Sequence, residues 1–184
     1  MRYFCFCCII LMLSSFQFQT KLELKNWTTD SLQWDDFKSL PNTSSEHVAA
    51  TDCHIKWTLK TRKDSIFITV FAYMNPANSW VKPQGKNERI LKHEQIHFDI
   101  AELFARKLRQ EILNQKFGKT SVSDILKTIA INNTKNYDAY QDKYDAETNH
   151  SKILSKQKEW EKRITNELKN LEAFNKTELI VLRK

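Results

Sequence analysis

Residues 88–115 read ERILKHEQIHFDIAELFARKLRQEILNQ. Ile90, Leu91, Ile96, Ile100, Leu103, Phe104, Leu108 and Ile112 recur at helical spacing, and neither Gly nor Pro interrupts the run. The stretch therefore predicts one long amphipathic helix, with Gly118 as its C-terminal punctuation. Inside it lies His93-Glu94-Gln95-Ile96-His97, an HExxH run. Two histidines four apart on a helix stand one turn above each other on the same face. Two imidazoles so placed can share one zinc ion, and Glu94 can reach a water beside it as general base. The bland alternative is an amphipathic helix whose histidines are incidental. The unbroken helical context and the carboxylate between the histidines favour the metal.

Working outward, the N-terminal half reads as β-rich. The β-branched and aromatic run SIFITVFAY (65–73) is the clearest strand, bounded by Asp64 and by Asn75-Pro76. Val48 to Leu59 reads as a second strand, Trp34 to Phe37 as a short aromatic segment, and Pro83 and Gly85 mark a loop before the motif helix. Beyond that helix the pattern predicts a short helix from Ser121 to Ile131 and one long helix from Thr134 to Ala173. The expected fold is α+β: a small, twisted, mostly antiparallel sheet packed on the HExxH helix and a long C-terminal helix.

The chain has 184 residues. Arg2 followed by the apolar run Phe4–Leu13 and by Ser14, Ser15 and Gln17 reads as a signal peptide over residues 1–19, cut between Ser15 and Thr20. A secreted or periplasmic domain over 20–175 and a C-terminal tail over 176–184 follow. Membrane contact is expected only through an uncleaved signal or a lipid anchor at Cys7 or Cys8. Three of the 4 cysteines fall in that leader, so the remaining Cys53 can form no intrachain disulfide in the exported domain and reads as a small buried residue. With 29 Lys+Arg against 22 Asp+Glu the net charge is +7. The cations are dispersed, with no basic block and no aromatic–basic interleaving along the chain. Nucleic-acid binding is not expected; a general attraction to anionic surfaces is.

A catalytic zinc normally takes three protein ligands. The long-helix reading lines up Tyr137, Tyr140, Tyr144, Glu147, His150, Leu154, Gln157, Trp160, Ile164 and Leu168 in steps of three or four. A Glu and a His on an inward stripe need polar partners or a metal. His150 is the first choice for third ligand and Glu147 the second, with Asp99, Glu102 and Asp145 behind them. Asp99 and Glu102 otherwise serve as hydrogen-bond acceptors for a ligand imidazole or as surface partners of Arg106 or Lys107. Tyr144 is either core or a donor to a developing oxyanion.

The run HEQIHFDIAELFARKLR, with YDAETNH at 144–150, then Gln157 and Trp160, and an upstream Ser79-Trp80-Val81, resembles a bacterial family of predicted secreted zinc-dependent proteases, domain of unknown function 922. The similarity covers roughly Trp34 to Leu168. It implies a zincin-like metallopeptidase exported from a bacterial cell, with zinc at the HExxH. It carries over onto His93, Glu94 and His97, and onto Tyr144, Asp145, Glu147, Thr148 and His150. The glycine it leads one to expect after the second-motif histidine is Ser151 here. The expected function is hydrolysis of a peptide or protein substrate bound along strand 65–73. The rivals are a zinc amidase acting on a cell-wall or other non-peptide substrate, and an exported binding protein that retains a metal site without catalysis.

Overall fold

In chain order the strands are β1 (Lys25–Asn26), β2 (Ala49–Ala50), β3 (Cys53–Arg62), β4 (Ser65–Met74), β5 (Trp80–Val81) and β6 (Glu178–Leu182). The helices are α1 (Glu88–Leu113), α2 (Val122–Thr148) and α3 (Leu154–Asn170). The computed structural model describes residues 23–27, 30–118 and 122–182. The expected signal peptide, with Cys5, Cys7 and Cys8, lies outside them.

The fold is α+β with antiparallel sheets. β4 alternates strictly: Ile66, Ile68, Val70, Ala72 and Met74 are buried, while the residues between them face outward. That period of two makes one face of the hairpin β3–β4 core, and the register pairs Cys53 with Met74 through to Arg62 with Ser65. β4 is interior. β3 lines one edge, and β1 and β6 share the other, at Tyr73–Met74 and Ser65–Thr69. Both edges being occupied, β4 cannot accept a substrate strand, contrary to the expectation for 65–73. Residues 178–182, read from the sequence as tail, form β6 because Leu179 buries against the sheet.

α1 crosses the inner face of the sheet and is its central packing element. Ile90, Ile96, Phe98, Ile100, Leu103, Phe104, Leu108 and Ile112 are all buried, each such side chain contributing about 1.5–3 kcal/mol. Asn87 caps the helix by accepting from the Ile90 amide. The helix ends at Leu113, with Asn114 as its cap, so Gly118 is not its terminator. α2 and α3 pack on the far side of α1.

The single helix predicted over 134–173 is two helices, and the short helix predicted from 121 is the start of α2. The break falls at Asn149, His150 and Ser151, whose φ angles are 44°, 50° and 69°. Three successive left-handed residues reverse the helical course, at a cost of about 1–2 kcal/mol each for a residue with a Cβ. Ser151 is anchored there: its carbonyl oxygen and Oγ accept from Arg89 Nη1 at 2.7 and 2.6 Å. His150 therefore projects from a tight turn, not from a helix face.

Candidate metal centre

α1 aims His93 and His97 toward the C-terminal end of α2. Their Nε2 atoms are 3.2 Å apart. Asp145 Oδ1 lies 3.0 Å from the first and 3.1 Å from the second. His150 Nδ1 is 3.4 Å from the same oxygen. His93, Asp145 and His150 thus form a group able to hold a metal ion, with His97 on its other side.

The tautomers follow from the hydrogen bonds behind the rings. Gln141 Nε2 donates to the His97 carbonyl at 3.0 Å, which turns its Oε1 toward His97 Nδ1 at 2.7 Å. Nδ1 must then carry the proton, leaving Nε2 with its lone pair. Gln157 repeats the arrangement: its Nε2 donates to the Tyr144 hydroxyl, and its Oε1 faces His93 Nδ1 at 3.2 Å. Two imidazole lone pairs and a carboxylate oxygen face one another at about 3 Å, an arrangement of three acceptors that is repulsive unless a cation or proton lies among them. Ligand atoms about 2 Å from a tetrahedral metal stand about 3.3 Å apart, so both the donor chemistry and the spacing fit a metal. A proton between His97 Nε2 and Asp145 Oδ1 would relieve the same repulsion. Burial alone would raise the Asp145 carboxyl and lower the His97 imidazole. The hydrogen bonds and charges between Asp145 and the histidines outweigh it, pulling Asp145 far below the usual carboxylate range and raising His97.

Glu94 is 4 % exposed and held by Thr51, whose hydroxyl donates to Oε2 at 2.6 Å. No described residue bonds its other oxygen. A cleft of about 350 Å³ opens in front, walled by Glu46–Thr51 on one side and by Ile90, His93, Glu94, His97, Asp145 and His150 on the other. Gly85 fixes the outer wall, because a Cβ there would meet the Val48 carbonyl oxygen at 2.7 Å. A larger hollow of about 740 Å³ beside Trp27 and Arg106 gathers no set of metal ligands among the described residues.

Two candidates from the sequence stand elsewhere. Glu147 points away: its Oε2 accepts from Trp160 Nε1 at 2.8 Å, and its Oε1 lies 3.6 Å from Lys143 Nζ. It sits two residues after Asp145, about 200° round the helix, so the face that brings in Asp145 turns Glu147 out. Tyr144 is fully buried, stacked on His93 with ring centroids 4.7 Å apart, and its hydroxyl bonds Gln157 and the His93 carbonyl. It supports the imidazole from behind and does not line the cleft. Asp99 accepts from Trp27 and Gln95 and reaches neither imidazole. Glu102 is buried at 3 % exposure between Arg106 and Arg109, so its pairing with Arg106 holds and its surface placement does not. Cys53 is buried, and His54 pairs with Asp52.

Gln141 was missed. Following steps of four from Tyr137 reaches Gln141 and then Asp145, the stripe that meets the motif helix; mixed steps of three, four and three lead through Tyr140 and Tyr144 to Glu147 instead.

Neither a curated protein nor a solved structure matches the chain. Residues 77–151, which contain α1, α2 and every residue of the cluster, match the family model described as "Bacterial protein of unknown function (DUF922)", and this supports the family name that the two motifs suggested.

Proposed function

We propose that the chain is a zinc-dependent hydrolase of the zincin-like kind, cleaving peptide bonds. The observation that carries this is the convergence of His93 Nε2, His97 Nε2 and Asp145 Oδ1 within 3.2 Å, with a cleft-facing glutamate next to the first histidine. His93, His97 and Asp145 would hold the metal, and His150 stands ready as a further ligand. When bound, zinc supplies Lewis acidity and lowers the pKa of a coordinated water to about 7.

The chain's own residues do the rest. Gln141 and Gln157 hold both imidazoles in the ligating tautomer. Thr51 orients Glu94, whose free oxygen takes the proton from the attacking water and returns it to the leaving amine. β2 pairs only with β5 among the described residues and lines the cleft, so its other edge can receive an extended peptide by strand addition. Glu94 argues against a purely structural site, which needs no general base.

The test is metal content and hydrolysis of wild type beside Glu94→Gln. About one zinc per chain in both, with hydrolysis of an unstructured polypeptide only in wild type, is expected. Cleavage of cell-wall material and not of polypeptide would move the substrate to a non-peptide amide. Wild type that takes up no zinc on reconstitution would end the enzyme reading.

A further inference from the structure

The outer face of the sheet, turned away from the helices, carries a juxtaposition invisible along the chain. Antiparallel register sets Lys60, Phe67 and Ile180 in one row across β3, β4 and β6. The next row is Arg62, Ser65 and Leu182. Partners in register share a face, so cations and apolar side chains that are far apart in sequence become neighbours. Ile180 and Leu182 are 66 % and 67 % exposed, and Phe67 is 39 % exposed. Lys63 in the hairpin turn and Lys56, opposite Phe71, extend the positive edge. Among the described residues none of Lys56, Lys60, Arg62 and Lys63 makes an ion pair, and the nearby acids are Asp64 in the turn and Glu178 on β6.

We propose that this hairpin end of the sheet docks on an anionic lipid surface, with Phe67, Ile180 and Leu182 entering the headgroup boundary and Lys60, Arg62 and Lys63 meeting lipid phosphates. Exposed aliphatic side chains beside unpaired cations fit an interface that is apolar below and negative above. A single-stranded nucleic acid would call for a run of stacking platforms; Phe67 is one aromatic, and Ile180 and Leu182 beside it offer no stacking face. A second copy packed face to face would oppose like charges. The cleft lies at the other end of the hairpin, about 30 Å away at roughly 3.4 Å per residue, so docking leaves it open. The inference is independent of the proposed hydrolase activity.

The experiment is co-sedimentation of the full chain with vesicles of phosphatidylcholine alone and of equal phosphatidylcholine and phosphatidylglycerol. The apolar stretch Phe4–Leu13 is common to every variant and meets both vesicle types, so the readout is the ratio of the two partition coefficients. Wild type is expected to favour anionic vesicles about a hundredfold, at roughly fivefold for each of the three cations. Lys60→Gln/Arg62→Gln should lower anionic binding about thirtyfold, at roughly fivefold per cation, and Lys60→Glu/Arg62→Glu further. Ile180→Ser/Leu182→Ser should weaken binding with the charge intact. Unchanged circular dichroism and an unchanged thermal transition establish that the variants fold. Equal partition into both vesicles, or variants that bind like wild type, overturns the proposal. So does a dimer in velocity sedimentation that Ile180→Ser/Leu182→Ser dissolves, or displacement from vesicles by a single-stranded oligonucleotide that binds the same face more tightly.

Discussion

Ser151 offers a test in which two conservative substitutions change order. Its φ of 69° places it in the left-handed region, fully buried, with Arg89 Nη1 donating to both its carbonyl oxygen and its Oγ. Ser151→Ala removes the hydroxyl acceptor and keeps the strain. A hydrogen bond to a charged group contributes about 1.5–3 kcal/mol; since the carbonyl contact survives, the lower end applies. Ser151→Gly loses the same bond but relieves about 1–2 kcal/mol of left-handed strain, against about 0.5–1 kcal/mol of extra unfolded-chain entropy. Glycine should therefore be more stable than alanine by about 0.5–1 kcal/mol, or about 1–4 °C in Tm for a chain of this size. At an ordinary helical position the order is the reverse. Thermal and urea unfolding of the metal-free variants decide it. Alanine equal to or above glycine would refute the reasoning that the turn carrying His150 is strained. Wild type above both would show that the Arg89 contact outweighs the strain, which is why serine can stand where the resemblance leads one to expect glycine.

The Asp145/Glu147 pair separates the structural ligand assignment from the sequence-based one: Asp145→Asn should lose most bound zinc, whereas Glu147→Gln should keep it, as equilibrium dialysis would show. Gln141→Leu removes the acceptor that fixes the His97 tautomer and should weaken zinc about 10–100-fold, with Glu94 and the cleft untouched; an unchanged affinity would deny Gln141 that role. Glu102→Leu strands Arg109 and Arg106 without their shared carboxylate and should cost about 3–5 kcal/mol, roughly 10 °C in Tm, in calorimetry. Metal affinity should fall on acidification. Burial, the largest single effect, lowers the His97 pKa, but the hydrogen bonds and charges of Asp145, Glu94 and Gln141 together raise it above the usual imidazole value. The metal-free fold therefore gains stability that is fully present below about pH 6.5 and lost as pH rises through the raised value. Zinc needs the unprotonated ring, so its binding should release protons and tighten with pH through that window. Calorimetric titrations in buffers of differing ionisation enthalpy, showing affinity flat between about pH 5.5 and 8, would contradict this.

Local information in the chain determines α1, β4 and the pairing of His93 with His97, because each rests on spacing within one element: 3.6 residues per turn for the helix, two for the strand. Glu94 belongs to the same class, since adjacency to a ligand needs no tertiary knowledge. Everything set by how elements meet was decided by the tertiary structure. The helix over 134–173 reads as continuous because Asn, His and Ser carry no signal as strong as glycine or proline; only the packing of α2 and α3 on α1 forces Asn149 to Ser151 into left-handed geometry. That reversal lifts His150 out of the stripe. A shift of two residues along α2 replaces Glu147 by Asp145 at the histidines, and glutamines instead of carboxylates accept their Nδ1 protons. β6 is too short to announce itself until β4 offers an edge, and the cation–apolar rows of the outer sheet exist only in register. Periodicity along one segment is fixed by local sterics and is written in the sequence; the phase of one segment against another is fixed by side-chain packing across the interface, which no single segment encodes.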